Sequence, residues 1–506
     1  MLRKASHPPV ADGGLMADDD MPIVDGTLPI VDGALPIVDG QPDATTMPVV
    51  VVMGDVITTP SAPPVGGAGS SDGVVVSGKP ANVTAAETEQ QRDGVAGKSA
   101  TPVLESNGHV IFPDGWEEVP ANAFKDKKTI ISVSFPASLV RIGDFAFCNC
   151  TNLRSANLPH GLKVIGLRAF YGCQSLQLTS LPDSVHCGIG NEAFRRCTAL
   201  ALTSLPPGLR TIGKFVFAEC TSLELSSLPN SLESIEEHAF DGCIALKLTG
   251  LPQGLETICG SAFSGCKSLD LTKLPDGLAD IGLAAFEDCT SLKLTSLPPN
   301  LRSIGKKAFA GCTALALTSL PDRLSDISDE LFKGCSSIAL DRLPLCVTHI
   351  GFRAFQGCVQ LKLTSLPNSL VRLSDRAFAD CSSLALTSLP PNLTRLSDYV
   401  FCGCTALALT SLPSLTQIGN HSFQFCSSIA LTSLPDSLTK IGFYAFAGCT
   451  SLALTSLPPN LTSIGNKAFE GCTALALTSK RDLRCLRGTE RREGWLRREG
   501  SSCLIA

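Results

Sequence analysis

The sequence predicts a single-unit repeat solenoid with a short parallel strand in each coil, and three observations predict it. A cysteine recurs at 150, 173, 197, 220, 243, 266, 289, 312, 335, 358, 381, 404, 426, 449 and 472, which makes fifteen copies with steps of 23 except one of 24 and one of 22. Counting that cysteine as position 1, apolar residues fall at positions 4, 6, 9, 13, 16 and 21. Proline then stands at position 10, and glycine usually at 17. A fixed period in this range marks coils that cannot bury their apolar face alone and stack on their neighbours instead.

The copy from Cys289 shows how each element is assigned. Its apolar set is Leu292, Leu294, Leu297, Leu301, Ile304 and Phe309, with Pro298 and Gly305 as punctuation. Positions 4 and 6 are alternate residues of an expected strand and face inward, so positions 5 and 7 face outward. Proline at 10 cannot donate to a ladder and ends that strand, and glycine at 17 marks a tight turn. The closing Ala-Phe-x-Gly-Cys segment is expected to form a short helical turn.

Composition bounds the function classes. Among 506 residues the net charge is −6, with 44 % apolar and 6 % aromatic residues. No overall basicity points to nucleic acid. The core is expected to be aliphatic and free of cofactors. Fifteen of the 22 cysteines form one periodic column, so they are read as buried structural thiols before any redox or metal role. Paired Cys-x-x-Cys knuckles and a matching His or carboxylate column are absent, and Cys148/Cys150 and Cys402/Cys404 are isolated pairs. His238, His349 and His421 sit at unequal repeat positions, and no phosphate loop, paired-carboxylate motif or Ser/His/Asp arrangement stands out. The expectation is a non-enzymatic chain without metal.

Four regions follow along the chain. Residues 1–107 carry three copies of Pro-Ile-Val-Asp-Gly, from Pro22, Pro29 and Pro36, followed by Pro-, Gly- and Ser-rich sequence, and are read as a disordered low-complexity region. The Asp18 to Asp20 run is a solvated acidic patch, and no secretory signal or membrane span is visible there. Residues 108–149 are a degenerate N-terminal capping coil, in which Phe124 takes the repeat phenylalanine place and Phe135-Pro136 mimics Leu-Pro. The solenoid proper spans 150–479, about fifteen coils. Residues 480–506 are a basic tail, read as disordered, with eight Lys/Arg against four acidic residues.

The motif Cys-x-x-Leu-x-Leu-x-x-Leu-Pro-x-x-Leu-x-x-Ile-Gly-x-x-Ala-Phe-x-Gly resembles the BspA-like, Treponema-type leucine-rich repeat over about 370 residues. One departure is that the family more often carries an apolar residue at position 7, where this chain has threonine after a leucine at 6. The resemblance implies a leucine-rich repeat horseshoe or arc with a parallel β-sheet, used for protein–protein contact, often at cell surfaces, and no catalysis.

Position 5, expected outward, is the candidate binding face: Arg154, Gln177, Glu224, Lys247, Asp270, Lys293 and Lys362, in a column otherwise filled by alanine. Alternating signs from Glu224 to Lys293 also fit simple avoidance of like-charge neighbours. Threonine fills position 7 in most coils, among them Thr203, Thr295, Thr318, Thr387, Thr410 and Thr455. Such an array is either an ordinary outward strand column or the water-ordering face of an ice-binding solenoid.

The chain ends Cys503-Leu504-Ile505-Ala506, which fits a C-a-a-X prenylation signal on Cys503 behind a basic segment. The first functional reading is therefore an interaction scaffold with protein partners, cytoplasmic or tethered to the inner face of a membrane. The alternative is a cell-surface adhesin or recognition ectodomain, for which Asn82, Asn392 and Asn460 would be glycosylation acceptors in Asn-x-Thr sequons.

Overall fold

The computed structural model describes residues 101–186 and 188–484, and the backbone of 502–504, within a compact unit that begins at Asp93. The low-complexity repeats, the Asn82 sequon and most of the expected tail lie outside the described residues.

Successive coils stack as a parallel solenoid, and each strand pairs with its own equivalent one coil on. Thr257 lies opposite Asp280 and Ile258 opposite Ile281, and the same register carries Ile281 onto Ile304. The strands are two residues long in most coils, such as Thr211–Ile212, Ser234–Ile235 and Thr257–Ile258. They occupy positions 15 and 16, with the aliphatic residue inward. They are grouped into sheets from Glu118–Val119 to Val164–Ile165, from Thr211–Ile212 to Ser303–Ile304, from Asp326–Ile327 to Arg372–Leu373, and from Arg395–Leu396 onward.

The strand therefore lies about ten residues beyond the expected one. Positions 4 and 6 do face the core, as Leu292 and Leu294 show, both fully buried, while Lys293 and Thr295 are exposed. Position 8 is exposed as well, as at Ser296, so two consecutive outward residues break the period-2 alternation that a ladder needs. What remains is at most a backbone bond or two per coil, such as Lys293 N donating to Leu271 O at 3.0 Å. In the first coils, where Val133 and Ala156 put the inward residue at position 7, ladders do form over Ser132–Ser134 and Ser155–Asn157.

The Ala-Phe-x-Gly-Cys segment is a run of turns, not a helical turn. Two residues before the repeat phenylalanine, the backbone is left-handed in coil after coil, with φ from +51° to +60° across Phe145, Arg168, Glu192 and their equivalents to Lys467. Left-handed backbone costs an L-residue roughly 1–2 kcal/mol. Inter-coil hydrogen bonds offset that cost: Tyr399 N donates to Asn420 O at 2.8 Å, and Phe401 N to Ser422 O at 2.9 Å. Glycine at 17 answers a different need from the expected turn. A Cβ on Gly305 would stand 2.4 Å from Leu283 N, so glycine there permits the close approach of neighbouring coils.

The core is a set of columns. Repeat phenylalanines stack from Phe124 through Phe147 to Phe469, with Phe309 and Phe332 5.9 Å apart and Phe286 and Phe309 5.5 Å apart. The cysteine column runs beside it. Each thiol donates to the phenylalanine carbonyl of the coil before, as Cys312 does to Phe286 O at 3.0 Å. At the N-terminal end the strands Val103–Leu104 and His109–Ile111 pair antiparallel, and Phe112 packs edge-on against Trp116 and Phe124. At the other end residues 480–484 are helical, and Asp482, 4 % exposed, accepts a hydrogen bond from Leu457 N at 3.3 Å.

Candidate interaction surface

The position-5 residues are exposed to differing degrees beside the leucine columns, and four of the six charged ones form two ion pairs. Lys247 Nζ lies 3.5 Å from Glu224, and Lys293 Nζ 3.0 Å from Asp270. Pairs this exposed contribute at most about 1 kcal/mol. Gln177 borders a shallow hollow with His160 and Asp183, while Arg154 and Lys362 project from separate coils. The structure thus spreads the seven residues along one column without gathering them. The threonine column at position 7 is also exposed, interrupted by Ser226 and Asp341.

Two further columns carry denser chemistry. The first is the left-handed position before the repeat phenylalanine, which points partly into solvent. In the C-terminal coils it builds a ladder of rings and cations. Tyr399 stacks on His421 at 4.3 Å and His421 on Tyr444 at 5.0 Å, with nearly parallel planes in each case. Arg376 closes one end 4.5 Å above Tyr399, and Lys467 the other at 5.8 Å from Tyr444. His421 Nδ1 is 2.8 Å from Gln424 Oε1. A second cluster in the same column lies near the N-terminal end. There Phe215 stacks on His238 at 4.4 Å, Arg195 sits 4.7 Å over Phe215, and Glu192 pairs with Arg168 and Arg195 at 2.5 and 3.1 Å. The Arg168 guanidinium is held above its ordinary range by its hydrogen bond to Glu192. Between the clusters the column runs Ser261, Ala284, Lys307, Glu330 and Arg353 and holds no ring.

The second column is the outward residue of the parallel ladder. It reads Asp280, Ser303, Asp326 and His349, then Arg372, Arg395, Gln417 and Lys440. The last four line a groove of about 340 Å³ with Asp375 and Asp398. Those aspartates serve the backbone: Asp375 Oδ1 accepts from Asp398 N at 3.2 Å, and Asp398 Oδ1 from Asn420 N at 2.8 Å. Sequence reasoning missed both columns because it placed the strand at position 5. Reading every variable position in register would have shown the run Arg376, Tyr399, His421, Tyr444.

Burial pushes the column thiols up, Cys150 to about 12 and the partly covered Cys472 to about 11, and it raises Cys402 beside the column to about 11 as well. A buried neutral thiol is a poor nucleophile and metal ligand. Among the described residues no cluster of three His, Cys, Asp or Glu could hold a metal ion, and no helix is long and apolar enough to cross a membrane. Of the candidate lipidation residue, Cys503, only the backbone is described: Ser502–Leu504 pairs antiparallel with Ser463–Gly465, with Cys503 opposite Ile464. Asn392 and Asn460 are exposed, and each side-chain amide donates to the preceding coil, at 2.9 Å to Asn368 O and Asp436 O.

The family described as BspA type leucine rich repeat region matches residues 117–247, 210–339 and 348–476, well over half of the chain. Solved structures with similar folds include a leucine-rich repeat protein from Bacteroides ovatus. It is 24 % identical over 75 % of this chain and 98 % of that one, with a TM-score of 0.44. A leucine rich cell surface protein from Faecalibacterium prausnitzii is 24 % identical over 71 % and 92 %, with a TM-score of 0.33. The Treponema pallidum leucine rich repeat protein is 28 % identical over 42 % and 79 %, with a TM-score of 0.26. No curated protein matches this chain.

Proposed function

We propose a function for a chain that belongs to the BspA type leucine rich repeat family: it is a non-enzymatic recognition scaffold that binds protein partners through the ladder of rings and cations before the repeat phenylalanine. The observation that carries the reading is the Arg376–Tyr399–His421–Tyr444–Lys467 run, five half-buried side chains stacked on consecutive coils. Tyrosine and arginine are the residue types that carry most binding energy at protein interfaces. Here the stacking holds them fixed, so little side-chain entropy is lost on contact. The position-5 face is retained as a secondary contact column. Residues 108–149 and the turn at 480–484 would serve as end caps, since each lays chain over an otherwise open coil.

Placement at the cell surface is the reading we favour over a lipid tether at Cys503. Prenyl processing removes the three residues after the cysteine, which would take Leu504 out of its pairing with Ser463. The exposed sequons at Asn392 and Asn460 suit an exported chain, because a glycosylated amide keeps one N–H for its inter-coil bond. The Faecalibacterium relative is described as a cell surface protein, a statement about that protein alone.

The test places a photo-crosslinking amino acid at position 399 of the full chain in the cells that make it, with position 295 as control. Discrete protein adducts from 399 and not from 295 are expected, and identical or absent adducts would sink the recognition reading. Surface biotinylation of intact cells and mass mapping of the C-terminus decide between the two placements.

A further inference from the structure

We propose that the groove at Arg372, Arg395, Gln417 and Lys440 holds an acidic polypeptide segment of the partner, an inference that rests on the protein-recognition reading and names the chemistry it selects. The three cations stand on the outward face of consecutive or near-consecutive strands. Parallel strands lie about 4.8 Å apart, so the three charges fall within roughly 15 Å. No side-chain ion pair engages any of the three among the described residues, unlike Lys247, Lys293 and Lys306, whose ammonium groups sit on carboxylates. Earlier coils of the same column carry the acids Glu118, Asp280 and Asp326 and one cation, Arg141, which sits on Glu118 at 3.1 Å, so among the described residues this end gathers the column's cations without ion-pair partners.

The groove discriminates among anions. Asp375 and Asp398 line it and stay fixed by backbone N–H groups, so the floor alternates cation and carboxylate. A uniformly charged polyphosphate or sulfated chain would meet those carboxylates at every register. A polypeptide can place Asp or Glu on the guanidinium forks and neutral residues between them. Gln417, between Arg395 and Lys440, offers both a donor and an acceptor to a peptide backbone. The neighbouring rings cannot stack on nucleic-acid bases, because Tyr399, His421 and Tyr444 close their faces on each other.

The experiment selects displayed random 12-residue peptides on the full-length chain, then measures selected peptides and a 12-residue oligothymidylate by fluorescence anisotropy. Variants are Arg372→Glu/Arg395→Glu/Lys440→Glu, the milder Arg395→Gln/Lys440→Gln, and Lys273→Glu/Lys306→Glu as the charge control, each checked for an unchanged unfolding transition. Enrichment of Asp and Glu, with binding weakened at least tenfold by the triple reversal, severalfold by the neutral pair and not by the control, is the expected result. Selected peptides without acidic enrichment, or indifferent to the reversal, overturn the groove assignment and leave recognition at the Tyr399 ladder standing. Oligothymidylate binding through the same three residues, with no peptide selected, overturns the groove assignment in favour of nucleic acid. Loss of the crosslinks at position 399 would instead count against the recognition reading itself.

Discussion

The Cys312 thiol donates to the backbone carbonyl of Phe286, 3.0 Å away in the preceding coil. The same carbonyl already accepts from the Cys289 amide at 3.2 Å, so the thiol occupies its second lone pair. Sulfur thus serves here as a small apolar filler with one committed donor. Replacing Cys312 by alanine should lower the denaturation midpoint by an amount corresponding to about 1–3 kcal/mol, through a lost hydrogen bond and a small cavity. Serine, which keeps a donor at the price of burying a more polar group, should differ from alanine in sign or size. Guanidinium titrations of the two variants give the comparison.

Alkaline pH should unfold the array in a defined window. Burial raises the folded-state pKa of the column thiols above the ordinary value of 9.0, to about 12 for Cys150 and about 11 for Cys472. Above pH 9 the unfolded chain releases these protons while the folded chain keeps them, so stability is full below that pH and falls as pH rises toward 11 to 12. Thermal melts between pH 7 and 11 should show the decline, and a melting temperature that stays level would refute it.

Thiol reactivity should sort by exposure. Cys346 is exposed, with its sulfur donating to Asp322 O at 3.0 Å, whereas the repeat cysteines from Cys173 to Cys449 are buried. With native protein at neutral pH, iodoacetamide should label Cys346 first among the described cysteines, and the repeat column only after denaturant is added. Early labelling of Cys266 or Cys312 would show that the coils open locally.

Ser261 holds φ at +52° in the left-handed column. Ser261→Gly relieves that backbone cost and should be neutral or stabilising by up to about 1 kcal/mol, the reverse of an ordinary glycine substitution. Gly305→Val, by contrast, forces a side chain onto Leu283 and Gly282 and should destabilise by roughly 2 kcal/mol or more. Both are read from chemical denaturation.

Asp482 ties the turn at 480–484 to Leu457, and Arg481 Nη2 donates to Pro459 O at 3.0 Å. Asp482→Ala should loosen the last coil selectively, raising hydrogen exchange at Leu457 and Leu461 while the Cys312 coil keeps its protection. Uniform exchange along the array would contradict a local capping role.

The period of 23, the inward set at positions 4, 6, 9, 13, 16 and 21 and the buried thiol column were legible from residue order alone, because burial of an apolar side chain is a property of its spacing. In the Cys289 coil all six such side chains, Leu292 to Phe309, are at most 8 % exposed. Tertiary stacking decided where backbone partners meet. With leucine at position 6, two outward residues follow and the ladder seen at Ser155–Asn157 is lost, which leaves the one at Ser303–Ile304, a ladder the first coils also carry at Arg141–Ile142 and Val164–Ile165. That loss took the display face from the Lys293 column to the Arg395 column. Stacking also imposed left-handed backbone at Tyr399 and Tyr444, aromatic residues that rarely adopt it, and there their amides donate to the next coil. Each coil's sequence dictates what it buries, while its neighbours dictate which of its remaining side chains stand together.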